Sequence, residues 1–412
     1  MNPSLKILLP VAAALTIAAC NAGGSSNVPS AGGGAQSAAS RSAYVPQWKA
    51  KNLAHADCPM VARKNECMAL TVNGTISHLV PSGLGPTDLQ TAYNLPSSTN
   101  GAGQIVAIVD AYDNPKVASD LAAYRTQYGL GTANFTKYNQ EGQTSNYPSG
   151  NTGWGTEEDL DVDMVSAGCP KCTIYLIEAN SNNTSDLETA VAEAVTLGAH
   201  IVSNSYLCAG STCGWSESYF ESPGVEYIAA SGDDGYNENG PPEYFGSVVS
   251  AGGTQLTKSG SKYSETVWSD AGGGCSDNGT GASLGQPKPA WQKDPDCKYR
   301  TDSDVSSEAG CNPGVAEYDT YGSGGWIVEC GTSAASPMTA AVFALAGNAS
   351  SQNAAEHFWK LKAKKRNKEL HYISVGNDGS CNDEYLCTAG TKQYGTYSGP
   401  AGWGSPNGVK AY

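Results

Sequence analysis

Short apolar runs alternate with amphipathic segments along most of the chain, beginning at about residue 81. Four runs rich in β-branched residues predict buried strands, at residues 104–110, 173–178, 200–205 and 225–231. Three segments with a helical pattern lie between them, at residues 115–128, 156–168 and 185–197. Strands that alternate with helices predict an α/β fold with a mostly parallel sheet and helices on both faces. Ligands on such a sheet bind at the carboxyl ends of the strands.

The start of the chain differs from the rest in composition. Lys6 precedes an apolar run at residues 7–19, which is too short to span a bilayer and predicts an export signal. The run ends at Cys20, as in a bacterial lipoprotein signal, and an ordinary signal peptide is the alternative interpretation. We expect a signal peptide at residues 1–20 and a Gly/Ser/Ala-rich tether at residues 21–43. The protein is then either a cell-envelope lipoprotein, held at the membrane by a lipid on Cys20, or a secreted protein.

Charge and cysteine content narrow the possible partners and compartment. Acidic residues outnumber Lys and Arg by 39 to 24, which excludes nucleic acid as a partner because phosphate binding needs a basic face. Twelve of the 13 cysteines remain without Cys20, an even number that predicts six disulfides in an exported chain. Four pairs lie close in sequence: Cys58 and Cys67, Cys169 and Cys172, Cys208 and Cys213, Cys381 and Cys387. The pairing of the other four stays open: Cys275, Cys297, Cys311 and Cys330.

Acidic residues crowd the start of the helix predicted at residues 156–168, where Thr156 is the expected N-cap. Five residues define the arc that should face the core: Leu160, Met164, Val165, Ala167 and Gly168. Glu157 and Asp161 fall inside this arc, one turn apart, whereas three other acids fall outside it: Glu158, Asp159 and Asp163. A solvated acidic first turn is one interpretation. Two carboxylates in an apolar stripe are costly, however, and such a pair usually shares a proton or serves a reaction.

A second chemical signal is Ser333, in the turn Gly331-Thr332-Ser333 before an apolar helical run at residues 338–345. Pro337 is expected in the first turn of that helix. A serine in this place is either a helix cap or a nucleophile. A Ser-His-Asp mechanism would also need a histidine followed by glycine at a helix start, and no histidine of the chain has that neighbour. Asp110 is then interpreted as a residue at the end of a strand.

Four ordered motifs resemble those of the sedolisins, the serine-carboxyl peptidases, which have a subtilisin-like fold. They are Glu157-Glu158-Asp159-Leu160-Asp161, Ser231-Gly232-Asp233-Asp234-Gly235, residues 249–254 and Gly331-Thr332-Ser333. The resemblance implies one large catalytic domain at residues 81–412. Residues 44–80 would then be a short N-terminal segment, similar to a reduced propeptide.

The resemblance also implies roles for four residues. Ser333 would be the nucleophile, Glu157 the general base, and Asp161 the carboxylate that orients Glu157. Asp233 would help form the oxyanion hole, although it could also be a turn residue in a Gly-flanked loop. A carboxyl can replace imidazole only where its pKa matches the working pH, so we expect an acid-active endopeptidase, monomeric and acting on proteins or peptides. A catalytically inactive binding or adhesion lipoprotein on the same fold is the alternative.

One departure from the family concerns calcium. The family has a C-terminal Ca²⁺ site with two aspartates, and the matching positions here are Tyr372 and Ser398. Hard cations favour charged oxygen ligands. We therefore expect no cofactor and no family-type Ca²⁺ at this place.

Overall fold

The computed structural model describes residues 45–59, 61, 63–208, 213–276, 286–349, 354–381 and 384–412. Their strands are β1 Ala54–Ala56, β2 Glu66–Cys67, β3 Leu70–Val72, β4 Ile105–Ala111, β5 Asn134–Asn139, β6 Thr173–Ala179, β7 Ile201–Asn204, β8 Tyr206–Leu207, β9 Glu226–Ala230, β10 Val248–Ser259, β11 Lys262–Val267, β12 Gly274–Cys275, β13 Thr301–Asp302, β14 Val305–Glu308, β15 Val315–Asp319, β16 Gly325–Cys330, β17 Leu370–His371 and β18 Ser405–Pro406. Their α-helices are α1 Gln47–Ala50, α2 Pro86–Ala92, α3 Val117–Tyr128, α4 Thr152–Gly168, α5 Thr184–Thr196, α6 Thr332–Ala346, α7 Ala354–Lys360 and α8 Ala363–Glu369. None of these helices is long and apolar enough to cross a membrane. The predicted signal peptide, Cys20 and the tether lie outside the described residues.

The central sheet has eight strands, in the order β11-β10-β9-β7-β4-β6-β5, with β14 paired to β10. Every pairing is parallel except that of β10 with β11, which is antiparallel. The four strands predicted from β-branched runs are β4, β6, β7 and β9, which are adjacent in the middle of this sheet. The mostly parallel sheet predicted from the sequence is therefore confirmed.

Helices cover both faces of this sheet, as predicted. Along β4, Val106 and Ile108 point into the core that contains residues of α4 and α6, whereas Ala107 and Val109 point into the core that contains α5. This alternation follows from the two-residue period of a strand. Because both faces are covered, β4 reads as a continuous apolar run rather than as an alternating one.

A second, smaller sheet is antiparallel and has the order β1-β3-β16-β15. It joins β1 and β3, near the start of the described chain, to β16, the strand that precedes α6. Its last strand, β15, packs against α3 and α4. Separately, β2 pairs with β8, which follows the central strand β7 after one residue. The segment at residues 54–72 therefore contributes three short strands, which pair with one another, with β8 and with β16.

Helix α4 begins one turn earlier than predicted. Its N-cap is Asn151, whose side chain accepts the backbone N–H of Trp154 at 3.1 Å, so the assignment of Thr156 as the cap was wrong. The prediction that Glu158, Asp159 and Asp163 face outward was also wrong. All three are buried. The cause is that α4 packs against α2, α3 and β15 as well as against α6 and the central sheet, so it has no solvent-facing side.

Helix α6 begins at Thr332, which places Pro337 inside the helix rather than in its first turn, as the sequence had suggested. A proline has no N–H for the carbonyl four residues earlier, and here that carbonyl belongs to Ser333. The Ser205 hydroxyl oxygen lies 3.4 Å from this carbonyl. The residue after β7 therefore lies close to the start of α6.

Six disulfide bonds join the twelve cysteines beyond Cys20. The four pairs close in sequence form as expected, and the remaining bonds are Cys275–Cys297 and Cys311–Cys330. Cys330 ends β16 and immediately precedes the turn that carries Ser333. The Cys311–Cys330 bond joins cysteines that are 19 residues apart in sequence. It limits the conformations open to the chain just before the turn.

Candidate active site

The four residues singled out by the motifs meet at the carboxyl end of the central sheet. Glu157 and Asp161 lie on α4, Ser333 is the second residue of α6, and Asp233 lies in the loop after β9. Helix α6 packs against both α4 and β9, and this packing brings the three elements together. All four side chains are buried.

Side chains from the two helices lie close to one another at this point. Glu157 interacts with the Ser333 hydroxyl and with Asp161. Both carboxylate oxygens of Asp161 accept the Ser205 hydroxyl, at 2.8 and 2.9 Å. The Ser333 hydroxyl also lies 3.2 Å from the Ser205 carbonyl, to which it can donate. The Ser333 hydroxyl therefore lies beside the pair of Glu157 and Asp161, and the Ser205 hydroxyl fixes the orientation of Asp161.

Burial controls the protonation of this pair. It raises the pKa of Glu157 well above the usual range, and the nearby carboxylate of Asp161 raises it further, while the Ser333 hydroxyl lowers it. Burial also raises the pKa of Asp161, with a further contribution from Asp110. Two carboxyls this close cannot both ionise easily, so they hold at least one proton between them well above the pH at which an exposed acid would lose it.

Asp233 is oriented by the turn before α6. Its Oδ1 accepts both the backbone N–H and the hydroxyl of Thr332, each at 2.8 Å. Burial raises the pKa of Asp233 well above its usual value, although the bonds from Thr332 lower it. Its Oδ2 has no hydrogen-bond partner among the described residues. A protonated Oδ2 can therefore donate to an oxygen that approaches the turn at Gly331, which lies beside it.

Two residues near the pair were missed by sequence reasoning. Asp110 does lie at the end of β4, as interpreted, but its buried carboxyl is also close enough to raise the pKa of Asp161. Burial, and then Glu157 and Glu178, raise the pKa of Asp110 itself. Ser205 follows β7 and orients Asp161. The sequence did hold one signal for both residues, because each stands at the end of a predicted strand. The carboxyl ends of adjacent parallel strands lie at the same edge of the sheet, where ligands bind.

Buried carboxyls should make the protein more stable in acid than at neutral pH. Burial raises the pKa of Asp57 from 3.8 to about 7 and that of Glu178 from 4.5 to about 8. The folded state then binds these protons more tightly than the unfolded state, so the free energy of unfolding should decrease between about pH 4 and about pH 8. Scanning calorimetry of the Ser333→Ala protein, which avoids self-digestion, should give the highest melting temperature near the acid end. A melting temperature that rises towards pH 8 would contradict this.

The residues present do not fit the calcium site of the family. Tyr372 and Ser398 offer a phenol and a hydroxyl instead of carboxylates. The backbone N–H of Ser398 donates to the Gly402 carbonyl at 3.1 Å, which closes the loop on itself. Neither position therefore supplies the charged oxygen ligand that a hard divalent cation favours.

A second group of buried acids connects α4 to α3 and to the loop after β15. Asp120, Asp159 and Asp319 each place an oxygen within 4.8 Å of the others. Asp319 accepts the backbone N–H groups of Tyr321 and Gly322, at 2.7 and 2.8 Å. Asp120 and Asp159 accept further bonds from Thr320 and Asn114. These bonds tie α3, α4 and the loop after β15 together, which is a structural role.

The fold and the site together define a subtilisin-like α/β protein in which carboxyls stand beside the serine at the start of a helix. Among solved structures, Pseudomonas sedolisin, a serine-carboxyl proteinase complexed with two molecules of pseudo-iodotyrostatin, has a TM-score of 0.65 and 24% sequence identity. The match covers 80% of this chain and 96% of that one. The predicted subtilisin-like fold is thereby confirmed.

Among curated proteins, kumamolisin of Bacillus sp. (strain MN-32) is 28% identical to this chain. The alignment covers 64% of this chain and 52% of kumamolisin, so the chain spans about half the length of that relative. No family model matches the sequence. Both likenesses support the resemblance to the sedolisins that the motifs indicate.

Proposed function

We propose that this protein is an exported serine-carboxyl endopeptidase that hydrolyses peptide bonds of proteins in acid. The observation that carries the proposal is the position of the Ser333 hydroxyl, at the start of α6, beside the buried carboxyl pair of α4, where it is close enough to lower the pKa of Glu157. Similarity to kumamolisin and to a serine-carboxyl proteinase supports the reaction class. Export is supported by the signal predicted at residues 1–20, where an acylated Cys20 would add a membrane anchor.

The geometry supports a two-stage reaction. In the first stage Ser333 Oγ attacks the substrate carbonyl carbon while Glu157 takes the hydroxyl proton, and Glu157 then returns that proton to the leaving nitrogen. In the second stage water hydrolyses the ester by the same groups in reverse. Asp161 orients Glu157 from one turn further along α4, and the Ser205 hydroxyl holds Asp161 in place.

Asp233 would stabilise the oxyanion that forms in each stage. Its Oδ1 is held by Thr332, so Oδ2 is aimed past Gly331 towards the position beside Ser333. A neutral carboxyl donates a hydrogen bond there, whereas a carboxylate would repel the developing charge. The raised pKa of Asp233 keeps the donor form present over a wider pH range than an exposed aspartate would.

No histidine can serve as the base in this arrangement. The imidazoles of His200 and His371 contact the backbone carbonyls of Gly224 and Ala92, at 2.9 and 3.2 Å. Among the hydrogen bonds of the described residues, none joins an imidazole to Ser333. The carboxyl pair is the proton acceptor that remains.

The pH dependence of turnover tests the proposal. The charged groups that act on Glu157 are all acids, namely Asp161, Asp57 and Asp233, so the active site works only while it retains protons. We expect digestion of casein or haemoglobin to be fastest in acid and to decrease as the pH rises to 7. A histidine base would give the opposite trend, because imidazole loses its proton near pH 6.5 (about its ordinary pKa). Rates measured between about pH 3 and pH 8 separate the two.

A rate maximum near pH 8 would refute the carboxyl mechanism. Complete lack of digestion by correctly folded protein, at any pH in this range, would instead favour the alternative of an inactive binding or adhesion protein. The presence of all four residues in hydrogen-bonded positions argues against that alternative, since a binding protein has no need of a buried carboxyl pair.

A further inference from the structure

One short stretch of the chain concentrates positive charge. Six of the 24 Lys and Arg residues fall within residues 360–368, which contain no acidic residue, so the other 18 stand against all 39 acids of the chain. Five of the six are lysines with exposed side chains, and together we call them the basic face: Lys360, Lys362, Lys364, Lys365 and Lys368. A strongly acidic protein therefore carries one compact basic surface, on α7 and α8.

The two helices that carry the basic face are fixed to the rest of the domain. The ring of Phe358, in α7, is buried and its centre lies 6.0 Å from that of Phe343, in α6. The indole N–H of Trp359 donates to Asp304 Oδ1 at 2.7 Å. Arg366, the sixth basic residue, is buried, and its guanidinium donates to the Phe358 carbonyl at 3.3 Å. The lysines therefore extend from a well-packed platform.

The lysines of α8 are placed where they do not help the helix. Lys364 and Lys368 are each two residues from the buried Arg366, so at about 100° per residue they stand on the opposite, solvent-facing side. Like charges four residues apart destabilise a helix. The first turn of α8 also contains no acidic residue, although acids are favoured at that end of a helix dipole. The stability of α8 therefore does not account for this placement of charge.

Most of the basic face lacks an ionic partner within the protein. Lys360 pairs with Glu356, and Lys365 Nζ lies 3.6 Å from Glu369. Within the part of the chain that the structure describes, three lysines of the face form no ion pair: Lys362, Lys364 and Lys368. Three exposed ammonium groups are thus available to anionic groups from outside.

The basic face and the candidate active site lie towards opposite ends of α6. Ser333 is the second residue of that helix, whereas Phe343, which packs against α7, is close to its last residue. Ten residues of α-helix separate these positions by about 15 Å. A surface that binds the basic face would therefore leave the carboxyl end of the sheet, where Ser333 lies, accessible to substrates.

We propose that the basic face binds the anionic headgroups of a phospholipid bilayer, and that it holds the protein on the membrane with its active site open to solution. Clusters of four to eight Lys or Arg residues are attracted to anionic lipids in this way. The inference rests on the proposed export to the cell envelope and is independent of the peptidase reaction. The predicted tether at residues 21–43 would have an end-to-end distance of about 25 Å, so a lipid on Cys20 would keep the protein close to a bilayer.

A bilayer fits this surface better than nucleic acid, the other common polyanion. The 39 acids elsewhere in the chain would repel a polymer that extends past the short basic stretch, whereas a bilayer can contact one face alone. Proteins that bind single strands also stack the bases on aromatic side chains. The large apolar side chains that are exposed among the described residues include none from α7 or α8.

The experiment measures co-sedimentation of the purified full chain with lipid vesicles at about pH 5. The chain carries Cys20→Ala, which prevents acylation, and Ser333→Ala, which prevents self-digestion. We expect it to bind phosphatidylglycerol vesicles at low salt, to bind phosphatidylcholine vesicles far less, and to be released by about 0.5 M salt, which screens exposed charges. Binding through the apolar run at residues 7–19 would be equal for the two kinds of vesicle, so their difference reports the basic face.

Two triple variants remove the same amount of charge from different places. The first replaces lysines of the basic face: Lys362→Gln, Lys364→Gln and Lys368→Gln. It should weaken binding to phosphatidylglycerol by about 100-fold. The control replaces three exposed lysines from elsewhere: Lys51→Gln, Lys116→Gln and Lys262→Gln. It should change binding by about 3-fold or less, because these charges are dispersed. Thermal unfolding should show the first variant to be at least as stable as its parent, since it removes the repulsion within α8.

Several results would overturn the proposal. They are equal losses in the two triple variants, equal binding to the two kinds of vesicle, absence of binding to phosphatidylglycerol at low salt, and tighter binding to duplex DNA than to vesicles. Failure of the proposed peptidase function would be seen separately. With Ser333 restored, the first triple variant should digest casein in solution as fast as the wild type. Vesicle binding without casein digestion would overturn the peptidase function alone, and digestion without vesicle binding would overturn only this inference.

Discussion

Replacing Glu157 with Gln should reduce turnover by about 10²- to 10⁴-fold, the range that general acid–base catalysis supplies. Glutamine has the same size and can still accept the Ala69 N–H, so the contacts of the site persist. It cannot take a proton from the Ser333 hydroxyl or give one to a leaving nitrogen. Because Glu157 and Asp161 titrate as a pair, the pH dependence of the remaining activity should also change. The measurement is kcat and KM on a peptide substrate across the acid range.

Glu158 supplies a matched control for this change. It is the next residue of α4 and is equally buried, and its pKa is also raised by burial, but the charges that act on it are Glu178, Asp110, Lys137 and Asp159. Glu158→Gln should therefore leave kcat close to the wild-type value. Equal losses in the two variants would show that α4 needs its buried acids for packing rather than for proton transfer.

The candidate site could be predicted in part because some of its residues are local in sequence. Glu157 and Asp161 are one helical turn apart, which places them on one face of a helix, and Ser333 stands in a short motif before an apolar helix. The roles of these residues and of Asp233 came from the resemblance to the sedolisins. The missed residues depend on tertiary position instead. Asp110 and Ser205 approach the pair only because β4 and β7 are neighbours in the sheet.

The fold could be predicted for segments whose pattern of apolar residues has a simple relation to their burial. The central strands were found because burial on both faces requires continuous apolar runs. Helix α4 was harder, since it is covered on all sides and carries acids at positions that a surface helix would expose. Its first turn also contains Gly153 and Gly155, where a side chain would collide with Asp57 and Tyr321, so close packing outweighs their poor helix propensity.

The contact of residues 66–71 with the candidate site, where the Ala69 N–H donates to Glu157 Oε2 at 2.9 Å, had no local signal in the sequence. Strands β2 and β3 have two and three residues, too few to show a period. The partner of β3 lies in β16, about 260 residues further along the chain, so no pattern within β3 could reveal the pairing. Sequence reasoning treated this part of the chain as a segment before the catalytic domain, and only the three-dimensional contacts relate it to Glu157.

Replacing Ser333 with Ala should abolish peptidase activity, with a loss of about 10⁴-fold or more in kcat, because no other group of the site can form the acyl-enzyme. The fold should survive. The hydroxyl contacts the Ser205 carbonyl at 3.2 Å, and loss of one such bond costs about 1 kcal/mol of stability.

Ser336, three residues further along α6, provides the control. It is equally buried, and its hydroxyl lies 2.9 Å from that of Ser203, away from the carboxyl pair. Ser336→Ala should therefore lose similar stability but keep its activity. Both proteins would be compared with the wild type by thermal unfolding and by hydrolysis of casein in acid. Near-normal hydrolysis by folded Ser333→Ala protein would show that the nucleophile lies elsewhere, and inactivity of both variants would mean that α6 is intolerant of any change at its start.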